Sequence, residues 1–269
     1  MAMIEIFLGV MLGLVLGSFA NVVIHRLPRM LERQWAAAEG MGIDTPRDPF
    51  NLAVPGSHCP HCNTPLRWYE NLPLLSFLWQ RGRCRHCREP IGWRYPLVEL
   101  SGAALGGWCF MRFGLEGPAV AWMAFGLTLV VLAAIDWDTT LLPDVLTQPL
   151  TWGGLVAAAL GWSGLSLPMA LWGAVGGYLC LWSLYWAFRL VTGKEGMGQG
   201  DFKLLAALGA WWGPWAGVSI ILIASLSGLA VGLWLRRQGG LREGGYLPFG
   251  PFLALAGLWL LVFGPLPGL

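Results

Sequence analysis

An all-α polytopic membrane protein of about eight transmembrane helices, with a small polar module after the first, is the fold class this sequence predicts, and three observations carry it. Of 269 residues, 56% are hydrophobic and only 12% charged, about half the charged share of an average soluble domain. Seventeen Trp and 38 Gly fit a membrane setting, because Trp favours bilayer interfaces and Gly is commoner in transmembrane helices than in soluble ones. The Lys and Arg fall almost entirely on one side of an alternating arrangement of apolar runs. The net charge of +2 says nothing by itself about nucleic acid, the basic residues are not gathered on a nucleic-acid-reading motif, and no nucleic acid is expected as a partner.

A crossing needs about 20 apolar residues, and the candidates are residues 4–25, 96–113, 118–135, 145–162, 168–188, 202–213, 215–235 and 247–264, the sixth being short. The first run is too long for a signal-peptide core and has neither a basic start nor a small-residue cleavage site, so it reads as a retained span. If the stretch between spans one and two is cytoplasmic and the spans alternate, sixteen of the seventeen Lys and Arg lie inside, Arg47 and Arg242 among them, and only Arg112 lies outside. Both chain ends then face the exterior. The expected division is residues 1–26 for the first helix, 27–95 for a cytoplasmic loop and 96–269 for a core of about seven helices. Within the loop, 32–56 reads as a flexible connection and 57–94 as a small folded module. No internal repeat is apparent.

That module carries Cys59 and Cys62, then Cys84 and Cys87, as two C-x-x-C pairs. Each pair sets two thiolates on one turn, and two facing turns complete a tetrahedral sulfur site for structural zinc. The alternative is two disulfides, which a cytoplasmic placement disfavours. His58, His61 and His86 adjoin the cysteines as substitute ligands, at the cost of strained turns. Cys109 and Cys180 lie within apolar runs and read as packing residues.

Carboxylates at membrane depth are costly to insert and are therefore functional candidates. Asp136, Asp138 and Asp144 follow the third span, and Asp201 opens the sixth after Gly198 and Gly200. The charge-derived orientation puts both segments at the cytoplasmic face. Asp136, directly after an apolar run, is the deepest of its three and the best partner for Asp201. Asp201 reads equally well as a helix cap, Asp144 reads better as one, and Asp138 faces water. An ion pair with Lys203 or Lys194 is the structural alternative for either member of the pair.

The ordered set GSFANVVIHRLPRM, CPHC, YENLPLLSF, RGRCRHC, IGWRYPLVEL, IDWDTTLLPD, MGQGDFKLLAALGAW and PFGPFLALAG resembles the type IV prepilin peptidases, intramembrane aspartyl proteases of the G-x-G-D type. The resemblance covers most of the chain. It implies cleavage of a basic leader from prepilins or pseudopilins at the cytoplasmic face of a bacterial inner membrane, for pilus or type II secretion assembly. It also implies N-methylation of the new terminal residue with S-adenosylmethionine. By position it makes Asp136 and Asp201 catalytic, with Gly198, Gly200 and Lys203 in support, and Cys59, Cys62, Cys84 and Cys87 the zinc ligands. It ties Gly82, and with it Glu70 and Asn71, to the methyl donor. A blander role for Gly82 is to shape the turn into the second cysteine pair. The rival readings are an aspartyl protease without methyl transfer, and a membrane carrier or scaffold whose carboxylates line an ion path.

Overall fold

The computed structural model describes residues 2–40, 49–194, 196–239 and 247–264. The expected inside charges Arg47 and Arg242 lie outside the described residues, as does much of the expected flexible connection. The described structure is helical: α1 (Ala2–Ala38), a 3-10 turn (Trp68–Asn71), α2 (Leu75–Trp79), α3 (Arg94–Phe113), α4 (Gly117–Thr139), α5 (Asp144–Ala159), α6 (Leu167–Thr192), α7 (Gln199–Arg237) and α8 (Gly250–Phe263).

Helices cover all eight expected segments, but among the described residues only α1, α4, α6 and α7 are both long and apolar enough to cross a membrane on their own account. Two differences have clear causes. α1 runs to Ala38, well past the expected end near residue 26, and carries Pro28 inside it. The residues beyond Pro28, MLERQWAAA, are mostly good helix formers, and propensity keeps the helix going. The expected sixth and seventh runs form one element, α7, broken at Gly213 (φ 80°, ψ 176°) just before Pro214. Proline disfavours helical backbone in the residue before it, and glycine accepts the positive φ that results.

The chain divides into two compact units, Met1–Met123 and Ala124–Leu269, with the division inside α4. In the first unit, α1 and α3 meet through small residues. Gly9 faces Gly106, Gly13 faces Gly102, and Gly17 faces Val98 and Glu99, each so close that an added Cβ would run into the opposing backbone. Ascending numbers on α1 meet descending numbers on α3, so the two helices are antiparallel. Small residues at such a seam permit the backbone approach that drives helix association in lipid. Thus α3 lies in the same compact unit as α1. The other side of α1, with Phe7, Met11, Val15 and Phe19, is exposed.

The second unit uses the same device. Gly173 of α6 faces Gly209 of α7, and Gly177 faces Leu205. Trp211 of α7 fills the centre, donating its indole N–H to the Leu150 carbonyl of α5 at 2.8 Å and meeting the Phe125 ring of α4 at 4.8 Å between centroids. The indole proton is thereby satisfied where water is absent. Gly257 of α8 nests against Leu208 of α7 and Leu129 of α4. Cys109 is buried as expected, but Cys180 is exposed on α6, whose outer side carries several exposed Trp and Leu.

Candidate active site

Of the four aspartates, the structure buries two. Asp136, in the last turn of α4, is 4% exposed and Asp201, in the first turn of α7, is 7% exposed, whereas Asp138 and Asp144 are exposed. Asp136 and Asp201 are near enough for the charge of one to act on the other. Two small spaces shape their surroundings. A Cβ on Gly250, the first residue of α8, would lie 2.6 Å from Asp136 Oδ2 and 3.0 Å from Leu142 Cδ1. A Cβ on Gly200 would lie 2.7 Å from Leu142 Cβ. Leu142, on the short segment between α4 and α5, is therefore seated between two glycines.

Asp201 also acts at its own helix end. Gly198 is the N-cap residue of α7 and offers no side chain, and its backbone N–H is hydrogen-bonded by the Asp201 carboxylate. This is the reach-back half of a capping box, from the third helical position to the cap. The carboxylate is thus held by α7's own backbone while Asp136 approaches from α4.

Lys203, two residues after Asp201, is paired with Asp144. Its ammonium donates to both oxygens of Asp144, at 2.6 and 2.8 Å. Asp144 in turn makes no cap hydrogen bond at the start of α5, where Pro143 holds the cap position. The capping role expected of Asp144 is replaced by this ion pair, because Asp144 falls one residue inside the helix, where its side chain points along the surface toward α7.

The four cysteines converge in the first unit. Their sulfurs all lie within 4.8 Å of one another, with Cys59 Sγ to Cys87 Sγ at 3.8 Å and Cys62 Sγ to Cys84 Sγ at 4.0 Å. Four sulfurs at about 2.3 Å from a tetrahedral zinc stand about 3.8 Å apart, so the cluster fits that metal. The Thr64 hydroxyl and backbone amide beside Cys62 hold its thiol below the ordinary value, at about 6. None of His58, His61 and His86 joins the cluster.

The two cysteine turns are the same object twice, a repeat that the sequence reading passed over. Cys59 N donates to Thr64 O, Asn63 N to Cys59 O and Leu66 N to Ser57 O; Cys84 N donates to Glu89 O, Arg88 N to Cys84 O and Ile91 N to Gly82 O. Asn63 and Arg88 both take positive φ, 55° and 65°. The signal was there in the shared pattern C-x-H-C-x-x-P, at Cys59–Pro65 and Cys84–Pro90.

Glu70, Asn71 and Gly82 have separate fates. Glu70 is buried; its Oε2 accepts the Arg67 N–H at 2.9 Å, while Oε1, 3.9 Å from Arg85 Nη1, has no hydrogen-bond partner. It lines a cavity of about 400 Å³ with Tyr69, Ser76, Gln80, Arg81 and Arg85. Asn71 is exposed and does not line that cavity. Gly82 has φ +68°, with its would-be Cβ 3.1 Å from the Phe77 ring. Its N–H donates to Phe77 O at 2.9 Å, so the turn itself accounts for the glycine.

One residue that sequence reasoning used only as a charge is structural. Arg26 of α1 is 7% exposed, and its guanidinium donates to the carbonyls of Asn51, Leu52 and Gly56 at 3.0, 3.4 and 3.4 Å. A buried cation needs such partners, and here it ties the approach to the first cysteine turn onto α1. Its place directly after an apolar span was the available clue.

Comparison with known proteins gives the family. Residues 11–113 match the bacterial peptidase A24 N-terminal domain and residues 123–233 the type IV leader peptidase family. A protein of Aeromonas hydrophila named prepilin leader peptidase/N-methyltransferase is 51% identical over 94% of this chain and 88% of its own length. Proteins of the same name from Pseudomonas aeruginosa and Dickeya chrysanthemi are each 48% identical, over 95% and 96% of this chain and 89% and 92% of theirs. No solved structure matches. With both family regions matched in order and nearly the whole length aligned, the chain belongs to the type IV leader peptidase family.

Proposed function

We propose that this chain removes the basic leader of type IV prepilins or pseudopilins at the cytoplasmic face of the inner membrane, using Asp136 and Asp201, and then methylates the new N-terminal residue. The observation that carries the peptidase half is the burial of these two carboxylates beside one another at the ends of α4 and α7. Two carboxylates held close share one proton, because both cannot ionise cheaply. The ionised member takes a proton from the water that attacks the scissile carbonyl; the protonated member hydrogen-bonds the developing oxyanion and then protonates the leaving amine. Each role needs a carboxyl group at that position, and no covalent intermediate on the enzyme is required.

For methyl transfer the reading rests on the Glu70 cavity. Its volume of about 400 Å³ is within the range of small-molecule sites. S-adenosylmethionine, when bound, supplies an electrophilic methyl on a sulfonium. Glu70 Oε1, buried without a hydrogen-bond partner, would hold a cationic or hydroxyl group of such a donor. The Arg85 guanidinium would hold its carboxylate, and the Tyr69 ring would cover an aromatic base. Gly82 is left with the turn, and Asn71 with no role in this cavity.

The cysteine cluster is read as a closed structural zinc site. All four positions are sulfur, which leaves no open place for water, so the metal holds the module together. The membrane reading retains about eight crossings, with α3 flanking α1, α7 counted as two segments about Gly213, and the cysteine module inside.

Purified enzyme incubated with a prepilin and a labelled methyl donor tests both halves at once. The product mass should fall by the leader and rise by one methyl group. Asp201→Asn should stop the first change while Glu70→Gln stops only the second. Cleavage that persists in Asp136→Asn and Asp201→Asn would refute the aspartate assignment.

A further inference from the structure

The short helix α2 has three different sides. Ser76 and Gln80 line the cavity beside Glu70. Phe77 turns inward, its ring 5.3 Å from that of Trp93 and against Gly82. The third side is apolar and bare: Leu75 and Leu78, three apart on one helix face, are 62% and 70% exposed, and Trp79, 83% exposed, stands at its border with the cavity. Trp93 continues this surface and is also exposed. Contiguous apolar surface of this kind marks an interaction site.

Its position identifies the partner. The Leu74 N–H, at the start of α2, donates to Glu99 Oε2 at 2.8 Å, and Phe77 rests on Trp93, the residue before α3. α2 is thus fastened to the first turn and a half of α3, where Leu97 and Leu100 are exposed. α3 in turn is packed along α1, a helix long and apolar enough to cross a membrane. The bare face therefore lies at the end of a membrane-embedded helix pair, the level at which Trp side chains gather. From Asn71 to Arg88 there is no Asp or Glu, while Arg81, Arg83 and Arg88 are exposed within the turns that follow α2 and line the cavity beside Glu70. That rim repels a basic peptide and suits phosphate headgroups.

We propose that Leu75, Leu78, Trp79 and Trp93 insert into the interfacial layer of the bilayer while Arg81, Arg83 and Arg88 contact anionic phospholipid headgroups, mooring the cysteine module flat on the membrane. An apolar helix face flanked by cations is the arrangement of interfacial anchors, and the module then cannot swing freely between α1 and α3. The mouth of the Glu70 cavity is held at headgroup height.

The test uses the full chain in nanodiscs, either phosphatidylcholine alone or mixed equally with phosphatidylglycerol, with the photocrosslinking residue p-benzoylphenylalanine at Leu78. The expected adduct is phospholipid, and in mixed discs phosphatidylglycerol should be captured roughly fivefold over its share. The Arg81→Ser/Arg83→Ser/Arg88→Ser variant should lose that preference but still capture lipid. Hydrogen exchange at residues 57–66 checks that the variant keeps its fold; if it does not, Arg81→Gln and Arg88→Gln singly should each lower the preference. Capture of another part of this chain or of a second protein, absence of any lipid adduct, or a preference unchanged without the arginines would each overturn the proposal.

Discussion

The four cysteines are brought together by two hairpin turns that repeat one hydrogen-bond scheme within residues 57–91, whereas Asp136 and Asp201 are brought together only because α4, α7 and α8 pack without space between them. The first constellation is local: fold either turn and two ligands are set. The second depends on Gly200 and Gly250, whose missing side chains are occupied by Leu142 and by the Asp136 carboxylate itself. A local site tolerates change in its surroundings and fails when a ligand is lost. A site built by helix packing fails when a methyl group is added. Four substitutions or treatments probe this contrast, taken from the largest expected effect downward.

Asp136→Asn and Asp201→Asn each remove a carboxyl group that the shared-proton mechanism requires, and each should lower prepilin cleavage by at least about 10³-fold. Amount inserted in the membrane, read by immunoblot, should stay near that of the parent, since Asn is nearly the same size. Should either variant cleave at a tenth of the parent rate, the pair is not the catalytic one.

Gly250→Val places a branched side chain where Cβ alone would be 2.6 Å from Asp136 Oδ2. The carboxylate must move by an ångström or so, and misplacement on that scale costs about a hundredfold in rate. Zinc content should be unaffected, because the cysteine turns are in the other unit. Parallel loss of zinc would show that the two constellations are not independent.

The aspartates and cysteines were legible in the sequence for different reasons. C-x-x-C spacing specifies a turn and its chemistry together, and an Asp after an apolar run is conspicuous because it is costly there. Their surroundings were not legible. Nothing in the sequence says that Lys203 would take Asp144, since that choice is made by the relative rotation of α5 and α7. Nor does it reveal that Gly250 sits against Asp136, because a helix pairing over more than a hundred residues of chain leaves no local periodic trace. The end of α1 was missed because one Pro and a run of charges looked like a break, while helix propensity carried the backbone through.

Removing the metal tests the local half. Extraction with a strong chelator, or Cys59→Ser, should free the segment between the turns, and trypsin should then cut at Arg81, Arg83 or Arg88 several-fold faster. Gly82→Val belongs here too. Its positive φ costs a branched residue about 1 to 3 kcal/mol, so zinc content and methylation should decline together. Glu70→Gln, which strains no backbone, should lower methylation with zinc retained. Selective loss of methylation in Gly82→Val with full zinc would return Gly82 to the donor site.

The smallest effect is expected at the ion pair beside the aspartates. Lys203 and Asp144 meet at 2.6 Å with side chains 35% and 52% exposed, and such solvent-screened pairs contribute about 0 to 1 kcal/mol. Lys203 stands only two residues after Asp201, so the pair could still matter by holding α5 against the first turn of α7 rather than by its energy. The two possibilities differ in how the variants combine. If the pair only adds surface stability, Asp144→Asn and Lys203→Gln each leave cleavage within about threefold of the parent, and raised salt reduces even that difference. If it positions α7, both single changes lower kcat alike with KM unchanged, the double variant is no worse than either, and the exchanged pair Asp144→Lys/Lys203→Asp recovers activity. Geometry favours the first outcome, because Asp201 is already held by the backbone of Gly198 and needs no outside tether. A tenfold or greater loss in Asp144→Asn, recovered by the exchange, would move this pair from the surface into the working site.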